Sequence, residues 1–114
     1  MKKKLKIFRT IKPFNKTLKM EGDKSISIRW ALLASQAVGK SKSYNLLQSE
    51  DVINTLHCLR KLGVKVKNSK NSCEIVGGGL NSFDYKKNII LDAGNSGTLG
   101  RLIMGLLIHS KSTI

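Results

Sequence analysis

The apolar residues at 25–38 recur at the three- and four-residue spacing of a helix. Leu32 and Leu33 are predicted to face the core of the domain. Asp23 precedes this stretch and can accept hydrogen bonds from the free N–H groups of the first turn, while Gly39 is a natural end for the helix. The pattern therefore predicts a first helix that is capped by Asp23.

A second helix is predicted between Ser49, which can cap its start, and Gly63, which can end it. Val52, Leu56 and Leu59 follow helical spacing within it. Two acidic residues stand in its first turn and two basic residues in its last turn. Both placements are favourable for the helix dipole, so this segment carries every signal of a helix.

Short runs of apolar and alternating residues, bounded by turn residues, predict strands at 17–20, 43–47, 64–67, 73–76 and 89–91. The strands at 64–67 and 73–76 are expected to form a hairpin. An apolar helix is predicted at 98–109, after the last strand. Because helices and strands are interspersed along the chain, the fold class is predicted to be α/β, of the mixed (α+β) kind.

The chain has 114 residues, which suits one ordinary domain, and it carries 21 Lys and Arg against 7 Asp and Glu. The formal net charge is +14, so an anionic partner is expected. Two cysteines are too few for a disulfide scaffold or a cysteine-based zinc site. No apolar run is long enough to cross a membrane, and no signal peptide is visible, so the predicted location is the cytoplasm.

Eight of the basic side chains lie within residues 1–20, where there is one run of lysines and no acid. This segment could be a nucleic-acid-binding arm or a solvated surface. We favour the solvated surface because no aromatic residues are interleaved with the lysines to stack on bases. A small basic nucleic-acid-binding protein remains the alternative, and salt-dependent retention on nucleic acid that weakens when the lysines at 2–6 are neutralised would support it.

The segments 22–29 and 94–101 can be aligned with each other, since each starts with Gly, continues with Asp or Asn and reaches Arg before an apolar helix. This similarity suggests a repeated folding unit. We therefore predict a basic N-terminal segment at 1–16, a first folding unit at 17–79 and the start of a second, truncated unit at 80–114.

Two polar loops carry the candidate chemistry. Lys24, Ser25 and Arg29 stand at the start of the first helix, where an ammonium, a hydroxyl, a guanidinium and free N–H groups can converge on an anion. The alternative is a capped surface helix with ordinary basic residues. The second loop, at 91–97, leads into the third helix and is rich in glycine. Its glycine spacing fits neither the Walker A loop nor the dinucleotide fingerprint.

Together the two loops resemble the 5-enolpyruvylshikimate-3-phosphate synthases. The resemblance rests on Gly-Asp-Lys-Ser-Ile-Ser-Ile-Arg at 22–29 and on Leu-Asp-Ala-Gly-Asn-Ser-Gly-Thr-Leu-Gly-Arg at 91–101, with further similarity at 49–52 and 59–64. The related UDP-N-acetylglucosamine enolpyruvyl transferases usually have Lys-Asn in place of Lys24-Ser25. The resemblance implies a domain built from repeated βαβαββ units, arranged as an inside-out α/β barrel.

The resemblance also implies an activity. Such an enzyme transfers the enolpyruvyl group of phosphoenolpyruvate to the 5-hydroxyl of shikimate 3-phosphate and releases phosphate, with no metal or organic cofactor. By position, Lys24 would be catalytic and would contact both substrates, while Ser25 and Arg29 would hold shikimate 3-phosphate. Asn95 and Gly97 would line the phosphoenolpyruvate pocket, where the herbicide glyphosate competes.

Two further residues match the family less closely. Asp51 corresponds to an acid near the same site, and Arg101 is either a site residue or a structural one that ties the loop to its surroundings. The chain is much shorter than the enzymes of this family, whose remaining binding arginines and proton-transfer residues lie in the missing part. That missing part is therefore an expected partner, and the chain alone is predicted to have no measurable activity.

Overall fold

A computed structural model describes Lys6, Phe8, Thr10, residues 12–17, residues 22–110 and Ile114. Helices and strands alternate along this part of the chain, in the order α1 (Lys24–Gln36), β1 (Val38–Tyr44), α2 (Glu50–Lys61), β2 (Lys65–Asn68), β3 (Ser72–Gly78) and α3 (Gly97–Leu106). The strand predicted at 17–20 lies outside the described residues, except for Thr17, which is not in a strand.

Helix α1 begins as its sequence predicts, because the Asp23 carboxylate accepts a hydrogen bond of 2.7 Å from the N–H of Ile26. Its buried face includes Ile28 and Leu32. The expectation for Leu33 is wrong, since this residue is 70% exposed. Neighbouring residues of a helix point about 100° apart, so Leu32 and Leu33 cannot both face the centre of the core.

Helix α1 also ends before Gly39, contrary to prediction. Ala37 caps the helix, and its N–H bonds the carbonyl oxygens of the preceding turn. Strand β1 starts directly afterwards, where Val38 pairs with Gly78, so that Gly39 lies inside the strand. Pairing with a neighbouring strand, a long-range interaction, therefore decides where the helix stops.

The three described strands form one antiparallel sheet in the order β1-β3-β2. The predicted hairpin is confirmed as β2 and β3, and the strand predicted at 43–47 is found at 38–44 instead. One face of the sheet packs on the helices. There Gly77 lies so close to α1 that a Cβ atom would be 2.3 Å from the carbonyl oxygen of Ala37.

Helix α2 is confirmed with its cap at Ser49, whose hydroxyl accepts from the N–H of Val52. It packs against α1 and the sheet and contributes Val52, Leu56 and Leu59, all fully buried, to the core. Leu99 and Ile103 of α3 belong to the same core cluster. The segment after β3 thus packs on α1 and joins the common core through its helix.

The predicted strand at 89–91 is not formed, and Ile90 is 78% exposed. A strand needs a partner for its backbone groups, and no described strand lies beside this segment. The carbonyl oxygen of Ile90 instead accepts a hydrogen bond of 2.8 Å from the Lys61 ammonium. The third helix is found at Gly97–Leu106, so it begins one residue earlier and ends three residues earlier than predicted.

The α/β class is confirmed, and the described order αβαββ contains the last five elements of one βαβαββ unit. The division into 1–16, 17–79 and 80–114 stays a prediction. The aligned loops do share one structural detail: Arg29 donates to the carbonyl oxygen of Ser25, and Arg101 donates to that of Gly97, four residues back in both cases.

Candidate anion-binding site

The first group of predicted site residues lies on the first two turns of α1. Lys24 is its first residue, Ser25 is partly buried beside it, and Arg29 follows one turn later. A guanidinium nitrogen of Arg29 donates a 3.2 Å hydrogen bond to the Ser25 carbonyl oxygen. The guanidinium is therefore held along the turn that carries the free N–H groups of the helix, and Ser25 and Arg29 lie on one helix face as predicted.

An ion pair joins α1 to α2. The Lys24 ammonium lies 2.8 Å from a carboxylate oxygen of Asp51, with side-chain exposures of 52% for Lys24 and 14% for Asp51. The hydrogen bond to Asp51 and the charge of that carboxylate raise the pKa of Lys24 above its ordinary value. Lys24 is thus a fixed cation at neutral pH, and it stands where the N-termini of two helices meet.

The glycine-rich loop before α3 is held by its own polar side chains. Asp92 accepts a 2.7 Å hydrogen bond from the N–H of Gly94, whose φ of +55° belongs to the left-handed region. The hydroxyl of Ser96 accepts from the N–H of Leu99 and caps α3. Between these two bonds Asn95 is exposed, and Gly97 opens the helix with its backbone accessible. The loop therefore presents Asn95 and free helical N–H groups to solvent.

Arg101 supports this loop from within α3. Its Nε donates a 3.1 Å hydrogen bond to the Gly97 carbonyl oxygen, and a Cβ atom at Gly97 would lie 3.1 Å from its Nη2. The guanidinium therefore lies over Gly97. Of the two predictions made for Arg101, this geometry favours the structural one, in which the side chain ties the loop to its surroundings.

Sequence reasoning missed the contact between α2 and the glycine-rich loop. A Cβ atom at Gly94 would lie 2.4 Å from Nδ2 of Asn54, so the Asn54 side chain lies directly against this glycine. The Cys58 thiol donates a 3.4 Å hydrogen bond to the Asp92 carbonyl oxygen. The only signal available in the sequence is spacing, because Asn54 and Cys58 lie three and seven residues after Asp51 and therefore share its helix face.

Helix α2 thus links the two groups of predicted site residues. Asp51 holds Lys24 of the first group, and Asn54 one turn later packs on Gly94 beside the second group. Fixed cations and helix N-termini favour small anions and can stabilise negative charge without rearrangement during a reaction. The arrangement is suited to binding phosphate and carboxylate groups.

The described residues lack both a metal-binding cluster and a membrane-spanning helix. No group of three or more His, Cys, Asp and Glu side chains could hold a metal ion there. Among the same residues, no helix is both long and apolar enough to pass through a bilayer. Of the N-terminal lysines, Lys6, Lys12 and Lys16 are described and exposed, while those at 2–4 lie outside the described residues, so the nucleic-acid alternative stays a prediction.

Known proteins resemble the chain over most of its length. A protein from Bacillus cytotoxicus named 3-phosphoshikimate 1-carboxyvinyltransferase is 44% identical over 98 residues, which cover 86% of this chain and 23% of that protein. A protein of the same name from Streptococcus suis is 40% identical over 103 residues, with 90% and 24% covered. The EPSP synthase structure from Acinetobacter baumannii superposes with a TM-score of 0.69 at 33% identity, over 79% of this chain and 20% of that one.

The chain therefore spans about a quarter of the length of the curated relatives it matches. The family model of EPSP synthase (3-phosphoshikimate 1-carboxyvinyltransferase) matches residues 8–114, which include both polar loops and the whole of α2. The chain belongs to the EPSP synthase family.

Proposed function

We propose that this chain supplies part of an active site that transfers the enolpyruvyl (carboxyvinyl) group of phosphoenolpyruvate to the 5-hydroxyl of shikimate 3-phosphate. In the balanced reaction, the hydroxyl oxygen forms a bond to the enolpyruvyl carbon, and the bond from that carbon to the phosphate oxygen breaks. The hydroxyl proton leaves with inorganic phosphate. The family membership supports this reaction, and both substrates are multiply charged anions of the kind that the candidate site suits.

The observation that carries the proposal is the pair between Lys24 and Asp51 at the meeting point of two helix N-termini. Lys24 remains protonated, and its side chain is half exposed, so it can reach a bound anion while Asp51 directs it. We assign to it contacts with both substrates. A fixed cation at this point would stabilise the negative charge that accumulates where phosphate leaves.

The other roles follow from position. Ser25, which follows Lys24, and Arg29, one turn after Ser25, would hold shikimate 3-phosphate. Asn95 and the N–H groups that follow Gly97 would bind phosphoenolpyruvate at the start of α3. Arg101 would act indirectly, by holding Gly97. We assign the reaction no metal or organic cofactor and place it in the cytoplasm.

The proposal includes a dependence on further residues. Because the chain covers 23% of its Bacillus cytotoxicus relative, we assign the rest of the substrate contacts to the part of such enzymes that lies beyond the match. Closure of that part over the loops would exclude water from the reacting groups. The chain on its own is therefore expected to be inactive.

A chimaera tests this function. The chain would be joined after Ile114 to the part of the Bacillus cytotoxicus protein that lies beyond the matched region, and phosphate release would be measured. We expect release only when phosphoenolpyruvate and shikimate 3-phosphate are both present, and none from the chain alone. A folded chimaera that releases no phosphate, while the intact Bacillus protein does so in the same assay, would refute the proposal.

A further inference from the structure

The face of α2 on which Asp51 contacts Lys24 also contacts the glycine-rich loop, at two points. Asn54 lies against Gly94, and the Cys58 thiol donates to the Asp92 carbonyl oxygen at 3.4 Å. Asp51, Asn54 and Cys58 lie at positions i, i+3 and i+7 of α2, so they form a single stripe on this helix. Each position of the stripe contacts a different residue of the two loops.

The contact at Gly94 leaves no room for a side chain at this position. A Cβ atom on this residue would lie 2.4 Å from Nδ2 of Asn54, a separation at which one of the two groups must move. The backbone of Gly94 also has φ +55°, which side chains other than Asn and Asp rarely adopt. The Asn54 carboxamide therefore occupies the space that any larger residue at 94 would need.

The two contacts fix the segment that leads to Asn95. Asp92 is held through its carbonyl oxygen by Cys58, and its carboxylate in turn holds the N–H of Gly94 at 2.7 Å. The Asn54 side chain packs against the same glycine, on the side where a Cβ atom would stand. Asn95 is exposed and follows Gly94 directly in the chain. A change in the backbone angles of Gly94 would therefore redirect the Asn95 side chain.

We infer that Asn54 is a positioning residue for phosphoenolpyruvate binding: it holds Gly94 so that Asn95 and the start of α3 face the substrate. The inference rests on the function proposed above. Because Asp51 lies one turn earlier and holds Lys24, the same rigid helix sets the spacing between the catalytic cation and the loop. A positioning role predicts a selective effect, confined to the substrate that the loop binds.

The kinetics of variants in the chimaera test this role. We expect Asn54→Ala to raise the KM for phosphoenolpyruvate about 10-fold, since a misplacement of about 1 Å in a site can cost up to about 100-fold. The kcat and the KM for shikimate 3-phosphate should change by less than about 2-fold, because Lys24, Ser25 and Arg29 are held by other contacts. His57→Ala is the matched control, since His57 lies on the exposed side of the same helix.

Two further variants separate contact from general destabilisation. Asn54→Leu keeps the branched shape against Gly94, so its KM for phosphoenolpyruvate should lie close to that of the unaltered chimaera and well below that of Asn54→Ala. Gly94→Ala displaces the Asn54 side chain by its own Cβ atom, so adding Asn54→Ala to it should cause little further increase in KM. Additive effects of the two substitutions would show that residues 54 and 94 act independently and would overturn the inference.

The outcomes distinguish the inference from the proposed function. If the unaltered chimaera is folded but inactive, the proposed function fails and the positioning role fails with it. If the chimaera is active and Asn54→Ala behaves like His57→Ala, only the inference fails. Equal increases in KM for both substrates, or a loss of kcat that Asn54→Leu does not restore, would likewise contradict a role specific to the loop.

Discussion

Two regions of this molecule pair lysine with a carboxylate, and they differ in what surrounds the pair. At the candidate site Lys24 lies 2.8 Å from Asp51, whose side chain is largely buried. On the outer face of the sheet, Glu74 is shared between Lys42 at 3.3 Å and Lys40 at 3.6 Å, and it is 27% exposed. The first pair joins two helices, whereas the second lies on neighbouring strands.

The sheet pair follows directly from strand register, because Lys42 lies opposite Glu74 and every member faces solvent. Lys65 and Lys67 of the next strand are exposed beside it, so four of the 21 basic residues lie on this solvated face. The site pair instead places one cation beside two helix N-termini, which are themselves partly positive. Position beside the helix N-termini, more than the residue type, distinguishes the candidate catalytic lysine, because the Lys24 side chain is 52% exposed and that of Lys42 is 41% exposed.

The largest expected difference between the two regions is in catalysis. In the active chimaera, Lys24→Ala should lower kcat/KM by at least about 100-fold, the typical cost of removing one group that stabilises transition-state charge. Lys42→Ala, the matched change on the sheet, should leave kcat/KM within about 2-fold, since surface pairs of this kind contribute little. The rate of phosphate release gives kcat/KM for both variants. Similar losses of kcat/KM in the two variants would show that Lys24 has no special role.

Removal of the carboxylates should give a smaller contrast. Asp51→Asn keeps the shape but removes the charge that raises the pKa of Lys24, so that pKa should fall. We expect kcat/KM to drop about 10-fold because Lys24 loses the partner that directs it. Glu74→Gln is the control and should have no measurable effect on rate. NMR titration of the Lys24 Nζ region gives the pKa directly, and an unchanged pKa in Asp51→Asn would contradict the assigned cause.

The buried side of the sheet allows a test by pH. Burial raises the pKa of Cys73 from 9.0 to about 11. The folded state therefore binds a proton that the unfolded state releases in this interval, so the free energy of unfolding should fall as pH rises from about 9 to about 11. The urea midpoint of the chain should fall more steeply across this range than that of Cys73→Val, because the variant has no thiol to titrate. A constant difference would mean that the thiol does not titrate as expected.

The smallest expected effect is the acid sensitivity of the sheet pair. The hydrogen bond from Lys42 and the charge of Lys40 lower the pKa of Glu74 below its ordinary value. The ionised Glu74 carboxylate therefore stabilises the folded state fully above the ordinary carboxyl pKa. This contribution is lost as pH falls through the pKa that Glu74 has in the folded state. Glu74→Gln should remove this small part of the acid sensitivity. In the unaltered chain, added salt should reduce the same part because the pair is solvated. Denaturation between pH 3 and 6 measures it.

Local signals predicted much of the fold and part of the site. The caps at Asp23 and Ser49 were correct because a cap depends only on a side chain and the N–H groups of the following turn. The placement of Ser25 and Arg29 on one helix face was correct for a similar reason, since it depends only on their spacing of four residues.

Long-range contacts account for what the sequence did not predict. The segment at 89–91 has the apolar residues of a strand but no described strand beside it, and pattern alone does not supply a partner. The end of α1 was misplaced because the sheet, which pairs Val38 with Gly78, determines it. Asn54 and Gly94 are distant in sequence and meet only after α2 packs against the loop. Helical spacing limits which face Asn54 lies on without showing what it contacts.

The close fit of Asn54 against Gly94 has a consequence for how such chains diverge. A side chain at position 94 needs both a left-handed backbone and the space that the Asn54 carboxamide fills. Substitutions at the two positions should therefore be linked during evolution, with Asn or Asp at 94 accompanied by a small residue at 54. An aligned set of relatives in which large residues occur at both positions would show that the loop can take another path around α2.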